Sequence, residues 1–176
     1  MLFRSTEGLG VQHLRAIIGY SMGGMHTWLW AQQHPGFMDL AVPMACMPTP
    51  ISGRNWMMRR MVIDAIRTDP EWQGGEYQRP LRSAHFALTY YAVATSGGTW
   101  GLYKSGPDQA KANAWLDARM AQAPIADAND ALYQYEAARD YDASVGLEHI
   151  TARVLAINNA DDERNPPELG LMDASM

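Results

Sequence analysis

The segment from Leu14 to Met47 changes its hydrophobic period twice, and that change restricts the class of fold open to the chain. Leu14-Arg15-Ala16-Ile17-Ile18-Gly19 is a short β-branched apolar run, the pattern of a buried strand. From Gly23 to His34 apolar groups recur at helical spacing until Pro35-Gly36 stops them. Met38 to Met47 is a second strand, expected to be broken by Pro43 and closed by Pro48-Thr49-Pro50. A helix between two strands implies a crossover connection, so the strands run parallel and the unit is βαβ.

At the first strand–helix joint stands Gly19-Tyr20-Ser21-Met22-Gly23, a Gly-x-Ser-x-Gly match. The bare pattern is only moderately specific, and the strand before it and the helix after it give it weight. A strand that turns sharply into a helix forces its central residue into a strained conformation. The residues two before and two after it are expected to approach so closely that only Gly fits. Ser21 Oγ would then project at the carboxyl end of the sheet beside a helix N-terminus, with the N–H of Met22 as the first oxyanion-hole donor. Such a nucleophile requires a base and a residue that orients the base.

Beyond Ile51 helical patterns dominate, at Trp56 to Arg67, Ser83 to Ala94, Gln109 to Met120 and Asn129 to Ala138, with turn-rich pieces such as Ser96-Gly97-Gly98 between them. Residues 51–149 read as a helical insertion in a sheet domain formed by 1–50 and 150–176. Ala152-Arg153-Val154-Leu155-Ala156-Ile157-Asn158 resumes the sheet, and Pro166-Pro167 opens a final helix. The fold class expected from these patterns is therefore α/β, a parallel sheet with a helical insertion. The acidic turn Asp161-Asp162-Glu163 follows the last strand, where the orienting acid belongs in chain order; Asp162 is preferred, with Asp161 and Glu163 competing. The five histidines are His13, His26, His34, His85 and His149, and none follows Asp162.

Composition narrows the function classes. The net charge of −5 removes the electrostatic driving force for nucleic acid or for a polybasic membrane contact. With 47% apolar and 19% charged residues the chain can bury a core, and twelve Met and six Trp suit adaptable apolar packing. Cys46 is the only cysteine, read as a buried inert thiol, so neither an intrachain disulfide nor a thiolate metal cluster is expected. No secretory h-region or membrane-length apolar run is present, and a cytoplasmic location is expected.

Three ordered motifs, Gly19-Tyr20-Ser21-Met22-Gly23-Gly24-Met25, Asp69-Pro70-Glu71-Trp72-Gln73-Gly74-Gly75-Glu76-Tyr77 and Asp162-Glu163-Arg164-Asn165-Pro166-Pro167-Glu168, resemble the homoserine O-acetyltransferase-like branch of the α/β-hydrolase superfamily. The resemblance implies a partial doubly wound parallel sheet of the α/β-hydrolase fold with an inserted helical lid, and covalent acyl transfer through Ser21, with Asp162 at the family's acid position. It also implies early strands and a second oxyanion donor in front of this chain, and a last strand with the catalytic His behind it. Where the acetyltransferases carry a substrate-binding Arg before a Thr-Tyr pair, Thr89-Tyr90 is preceded here by Arg82-Ser83-Ala84-His85. That departure moves the similarity toward the hydrolase-like members.

The preferred reading is a serine acyl hydrolase of a small ester, thioester or amide, needing no cofactor. The alternative is acyl transfer with acetyl-CoA as co-substrate, and a non-catalytic binding protein is the reading of another class. Without a matched His, this chain alone is expected to show little esterase activity. Arg54, Arg59 and Arg60, together with Arg82, are candidates for an anionic substrate group, against a solvated helix face in which Arg54, Arg59 and Arg60 pair with residues such as Asp64. The apolar strand through Ala16–Gly19 is expected to form an exposed edge that promotes self-association.

Overall fold

The computed structural model describes residues 4–176 other than 97 and 125; the first three residues and Gly97 of the turn at Ser96-Gly97-Gly98 lie outside them. The chain forms two compact units. Unit 1 comprises Met1–Pro50, Tyr141–Ala160 and Pro167–Met176, and unit 2 comprises Ile51–Asp140 and Asp161–Pro166.

Unit 1 is built on the βαβ element: β1 (Ile17–Tyr20), α1 (Met22–Gln33), β2 (Leu40–Met44) and later β3 (Arg153–Val154). All pair parallel in the order β1-β2-β3, with Ile17 opposite Ala41 and Leu40 opposite Arg153. Ala31 of α1, Met38 and Ala41 form a buried cluster against Leu14, Ile17, Trp30, Phe37 and Val154. Small residues at the centre of that contact let the helix lie close on the sheet. Tyr141–Ala160 returns to this unit through Tyr141, whose hydroxyl donates to the Met47 carbonyl at 2.9 Å, and Ala143, whose N–H donates to the Pro48 carbonyl at 2.8 Å.

Pro43 does not break β2, contrary to the sequence expectation, but it shortens β3. The strand runs through Pro43, paired with Gly19. On the β3 side the N–H of Leu155 donates to the Ala41 carbonyl at 3.0 Å and that of Ile157 to the Pro43 carbonyl at 3.0 Å, and the rung between these bonds, to the Leu155 carbonyl, would need the N–H that Pro43 lacks. Regular pairing therefore stops at Val154, with an isolated bridge from Met44 to Ile157, although the apolar run extends to Asn158. The expected final helix is also divided: a single turn at Pro167–Leu169 ends at Gly170, at φ 62°, before α7 (Leu171–Ser175).

β1 is an edge strand of this sheet, and Ile18 and Tyr20 on it are 64% and 67% exposed. An apolar edge with unpaired backbone groups is a template for another strand. Size-exclusion chromatography of the chain is expected to show self-association that Ile18→Lys reduces; a monomer at all concentrations would refute this.

Unit 2 contains α2 (Gly53–Arg67), α3 (Arg82–Ala94), α4 (Thr99–Ser105), α5 (Gln109–Met120) and α6 (Ala128–Glu136). Its core joins Val62, Ile63 and Ile66 of α2 to Ala84 and Tyr91 of α3 and to Ala131 and Leu132 of α6, with Leu81 between. Asp108 and Asp127 cap α5 and α6 by accepting backbone N–H groups of Lys111, and of Asn129 and Asp130. The Asp69-Pro70-Glu71-Trp72 motif is scaffold for α6: Trp72 Nε1 donates to Asn129 Oδ1 at 2.8 Å, and Asn129 Nδ2 to the Gly75 carbonyl at 3.0 Å. α4, absent from the sequence expectation, has seven residues and buries none of them, so it leaves no periodic apolar signal. Among the described residues no helix is long and apolar enough to cross a membrane.

Candidate functional site

Ser21 sits between the last residue of β1 and the first of α1, at φ 54° and ψ −117°. Positive φ is unfavourable for an L-residue, and the surroundings hold it there. The Ser21 N–H donates to the Met44 carbonyl at the end of β2 at 2.8 Å, and the Ser21 carbonyl accepts from Met25 N–H at 3.0 Å. Sheet and helix thus each fix one side of the residue. Ser21, Met22 and Gly23 are exposed, and the Ser21 hydroxyl does not cap α1. As the first residue of α1, Met22 presents an N–H with no acceptor inside the helix, beside its positive dipole end.

The glycines divide the close approach differently from the expectation. A Cβ on Gly19 would lie 2.0 Å from the Gly23 carbonyl oxygen, so the approach before Ser21 is as expected. After Ser21 the crowded position is Gly24, whose Cβ would meet Cys46 Sγ at 2.6 Å and the Met44 carbonyl oxygen at 2.8 Å. Gly23 has open space around its Cβ direction, because it supplies the backbone that Gly19 approaches and its own Cα faces away. Cys46 is buried, as its apolar context suggests.

Strain at Ser21 has a measurable consequence. Glycine occupies this region freely, so Ser21→Gly is expected to be more stable than Ser21→Ala by about 1 kcal/mol or more. Equal denaturation midpoints for the two variants would show that the backbone there carries no strain.

Asn158 was not singled out by the sequence. Its side-chain amide accepts from Cys46 N–H at 3.0 Å and donates to the Cys46 carbonyl at 3.2 Å, locking the segment after β2 to the segment after β3. Its polarity at the end of an apolar run is the only local sign of that role.

Asp162 lies in unit 2, half-buried, and its carboxylate closes its own turn. Oδ1 accepts from the N–H groups of Arg164 at 2.8 Å and Asn165 at 3.2 Å, and Oδ2 accepts from Asn165 Nδ2 at 3.0 Å. Of its competitors, Glu163 pairs with Arg54, whereas Asp161 is exposed beside Gly98. The turn is tied to α2 and α3 through Arg164: its carbonyl accepts from Asn55 Nδ2 at 3.3 Å, and its guanidinium donates to Thr95 Oγ1 at 2.6 Å and to the Tyr91 hydroxyl at 3.3 Å.

The arginine candidates separate. Arg60 forms an i, i+4 pair with Asp64 at 2.8 Å on the exposed side of α2, and Arg82 is exposed as the first residue of α3. Arg59 is half-buried, its Nε donating to Asn55 Oδ1 at 3.0 Å and its guanidinium 5.4 Å from the Tyr135 ring centre.

Among the described residues no histidine is hydrogen-bonded to Ser21. His13 lies at the amino end of the strands, bonded to Asp39 Oδ1 at 3.0 Å and to the Gly36 carbonyl at 3.1 Å. That contact, joined by Arg15, holds the Asp39 carboxyl below the usual carboxylate range against the opposing effect of desolvation. His26 is exposed on α1, His34 edges onto Trp30, His85 is bonded to the Met120 carbonyl at 3.2 Å, and His149 lies beside Glu148.

No family model matches the chain. It is 27% identical over 164 residues to a probable acyltransferase of Methanothermobacter thermautotrophicus, covering 93% of this chain and 49% of that protein. It is 32% identical over 168 residues to a homoserine O-acetyltransferase of Haemophilus influenzae, covering 82% and 44%. Among solved structures, esterase E22 superposes with a TM-score of 0.80 at 20% identity over 97% of this chain and 52% of that one, a likeness of fold. The chain spans about half the length of the curated relatives it matches.

Proposed function

We propose that the chain is part of a protein of the homoserine O-acetyltransferase-like branch of the α/β-hydrolase superfamily, which its curated relatives support, and that Ser21 is the nucleophile of an acyl-transfer or acyl-hydrolysis reaction. The observation that carries the reading is the backbone of Ser21, held at φ 54° between β1 and α1 with its side chain on an exposed turn. Ser21 Oγ attacks an ester, thioester or amide carbonyl, forming the acyl–oxygen bond as its proton passes to a base. The Met22 N–H and the N-terminal end of α1 stabilise the oxyanion. The leaving group departs with a proton, and water or an acceptor hydroxyl then takes the acyl group from Ser21. Asp162 is the acid that orients the base, and the chemistry needs no resident cofactor. Hydrolysis is the preferred second step; transfer, with acetyl-CoA as co-substrate, differs only in the acceptor.

Reaction with p-nitrophenyl acetate followed by peptide mass spectrometry tests the nucleophile. Acetylation is expected at Ser21, slow because no histidine is bonded to it, and absent in Ser21→Ala. Acetyl groups spread over lysines, at equal levels in Ser21→Ala, would refute the assignment. Partition of the acetyl group between water and added alcohol distinguishes hydrolysis from transfer.

A further inference from the structure

Among the described residues six arginines have a carboxylate partner: Arg15 with Asp39, Arg54 with Glu163, Arg60 with Asp64, Arg67 with Glu136, Arg79 with Glu71 and Arg139 with Asp140. Arg59 and Arg164, both half-buried in unit 2, have none among the described residues. Each lies over an aromatic face instead, Arg59 at 5.4 Å from the Tyr135 ring centre and Arg164 at 5.4 Å from that of Tyr91. The two rings meet edge to face at 5.1 Å, so the cations share one aromatic wall. Asn55 joins them as well, accepting from Arg59 Nε at 3.0 Å and donating to the Arg164 carbonyl at 3.3 Å.

The position of Arg59 on its helix explains its burial. Asn55, Arg59, Val62 and Ile66 follow one another at helical spacing on α2, so the polar pair continues the stripe that forms the unit 2 core. Arg60, one position on, leaves that stripe and pairs with Asp64. Withdrawing two like charges from water without a counter-ion opposes folding, and cation–π contacts and neutral acceptors offset only part of that cost. The nearby acids are committed: Glu136 to Arg67, Glu163 to Arg54, and Asp162 to its own turn. Tyr135 stays neutral, its hydroxyl pushed up to about 12 by burial and by Tyr91 against the opposing pull of Arg59 and Arg164, so it supplies no negative charge.

Donor geometry completes the argument. Arg59 commits Nε to Asn55, and Arg164 commits Nε to Tyr91 and Nη2 to Thr95, which leaves both terminal nitrogens of Arg59 and Nη1 of Arg164 without a protein acceptor among the described residues. We propose that Arg59 and Arg164 form an oxyanion-binding site in unit 2 that takes a carboxylate or phosphate group on these free guanidinium edges. Planar N–H pairs match the oxygen spacing of such groups, and the tyrosine faces fix the planes in which they lie. The site stands within one unit whether or not Ser21 is acylated, so it does not rest on the function proposed above.

The test is titration of the chain with sodium phosphate and, separately, with sodium acetate, in a buffer of weakly coordinating anions, following the arginine Nε–H resonances by NMR. Saturable shifts of the Arg59 and Arg164 signals are expected; saturation by phosphate alone assigns a phosphate-bearing ligand, and saturation by acetate assigns a carboxylate. Arg59→Gln is expected to weaken binding about tenfold, since it removes a charge-assisted contact. Arg59→Lys, which keeps the charge and loses the fork, falls between, and Arg139→Gln leaves affinity unchanged. Absence of saturable shifts with both anions, or unchanged affinity in Arg59→Gln, would overturn the proposal.

Discussion

Gly19→Ala is expected to lower the stability of the chain by about 3 kcal/mol or more, whereas Gly23→Ala is expected to leave it unchanged or raise it by up to about 1 kcal/mol. The motif treats the two glycines alike; their surroundings do not. A Cβ on Gly19 would stand 2.0 Å from the Gly23 oxygen, 2.2 Å from the Gly23 carbonyl carbon and 2.6 Å from Thr27 Oγ1. Two of those atoms are backbone, and the third is a buried hydroxyl held by its own hydrogen bond to the Gly23 carbonyl at 3.0 Å. No side chain can swing aside to make room. Relief requires α1 to move away from β1, which would open the packing of Ala31 on Ala41, residues 1% and 0% exposed. At Gly23 an added methyl meets nothing within 4 Å, and alanine is the better helix former inside α1. Denaturant midpoints compared at constant slope measure the difference. Equal midpoints for the two variants would mean that the strand–helix joint is not where this turn is constrained.

What the sequence reveals of this site follows from the range of the interactions involved. The joint at Ser21 is made by neighbours in the chain, so the pattern of strand, Gly-x-Ser-x-Gly and helix announces it before any coordinates. The same holds for α2, α3, α5 and α6, each close to its expected position because its apolar period or its capping residue is local. Effects exerted across strands are hidden. Pro43 looks like a break in its own strand, yet it acts on β3, by lacking the N–H that would donate to the Leu155 carbonyl between the bonds that Leu155 and Ile157 make to β2. Likewise Asn158 closes on Cys46, and Asn55 on Arg164, from more than a hundred positions away. Neither pairing leaves a periodic trace. Arg164 was visible as part of the Asp-Glu-Arg-Asn-Pro-Pro motif, but its cation gains meaning only when Tyr91, Thr95 and the distribution of acids around it are known.

The core that positions Arg59 gives the second large effect. Ile66 is fully buried at the centre of unit 2, among Val62 and Ile63 of its own helix, Leu81, and the small and apolar faces of α3 and α6. Truncation to alanine removes three carbons whose neighbours cannot fully collapse, and Ile66→Ala is expected to cost about 3 to 4 kcal/mol, against about 1 kcal/mol for Ile66→Val. Unit 2 has its own buried cluster, so the loss should appear first as faster amide exchange in α2, α3 and α6. If α1 and β1 lose protection equally, the two units unfold as one and the cluster is not a separate source of cooperativity. Arg59 and Ile66 lie on the same stripe of α2, two turns apart, so the aromatic wall under the guanidinium depends on the helix that Ile66 anchors. Oxyanion affinity is therefore expected to fall in Ile66→Ala without any change in the arginines, and to be largely kept in Ile66→Val. Undiminished affinity in Ile66→Ala would mean that the site is formed locally, by Asn55, Arg59 and the turn carrying Arg164, whatever the state of the core behind it.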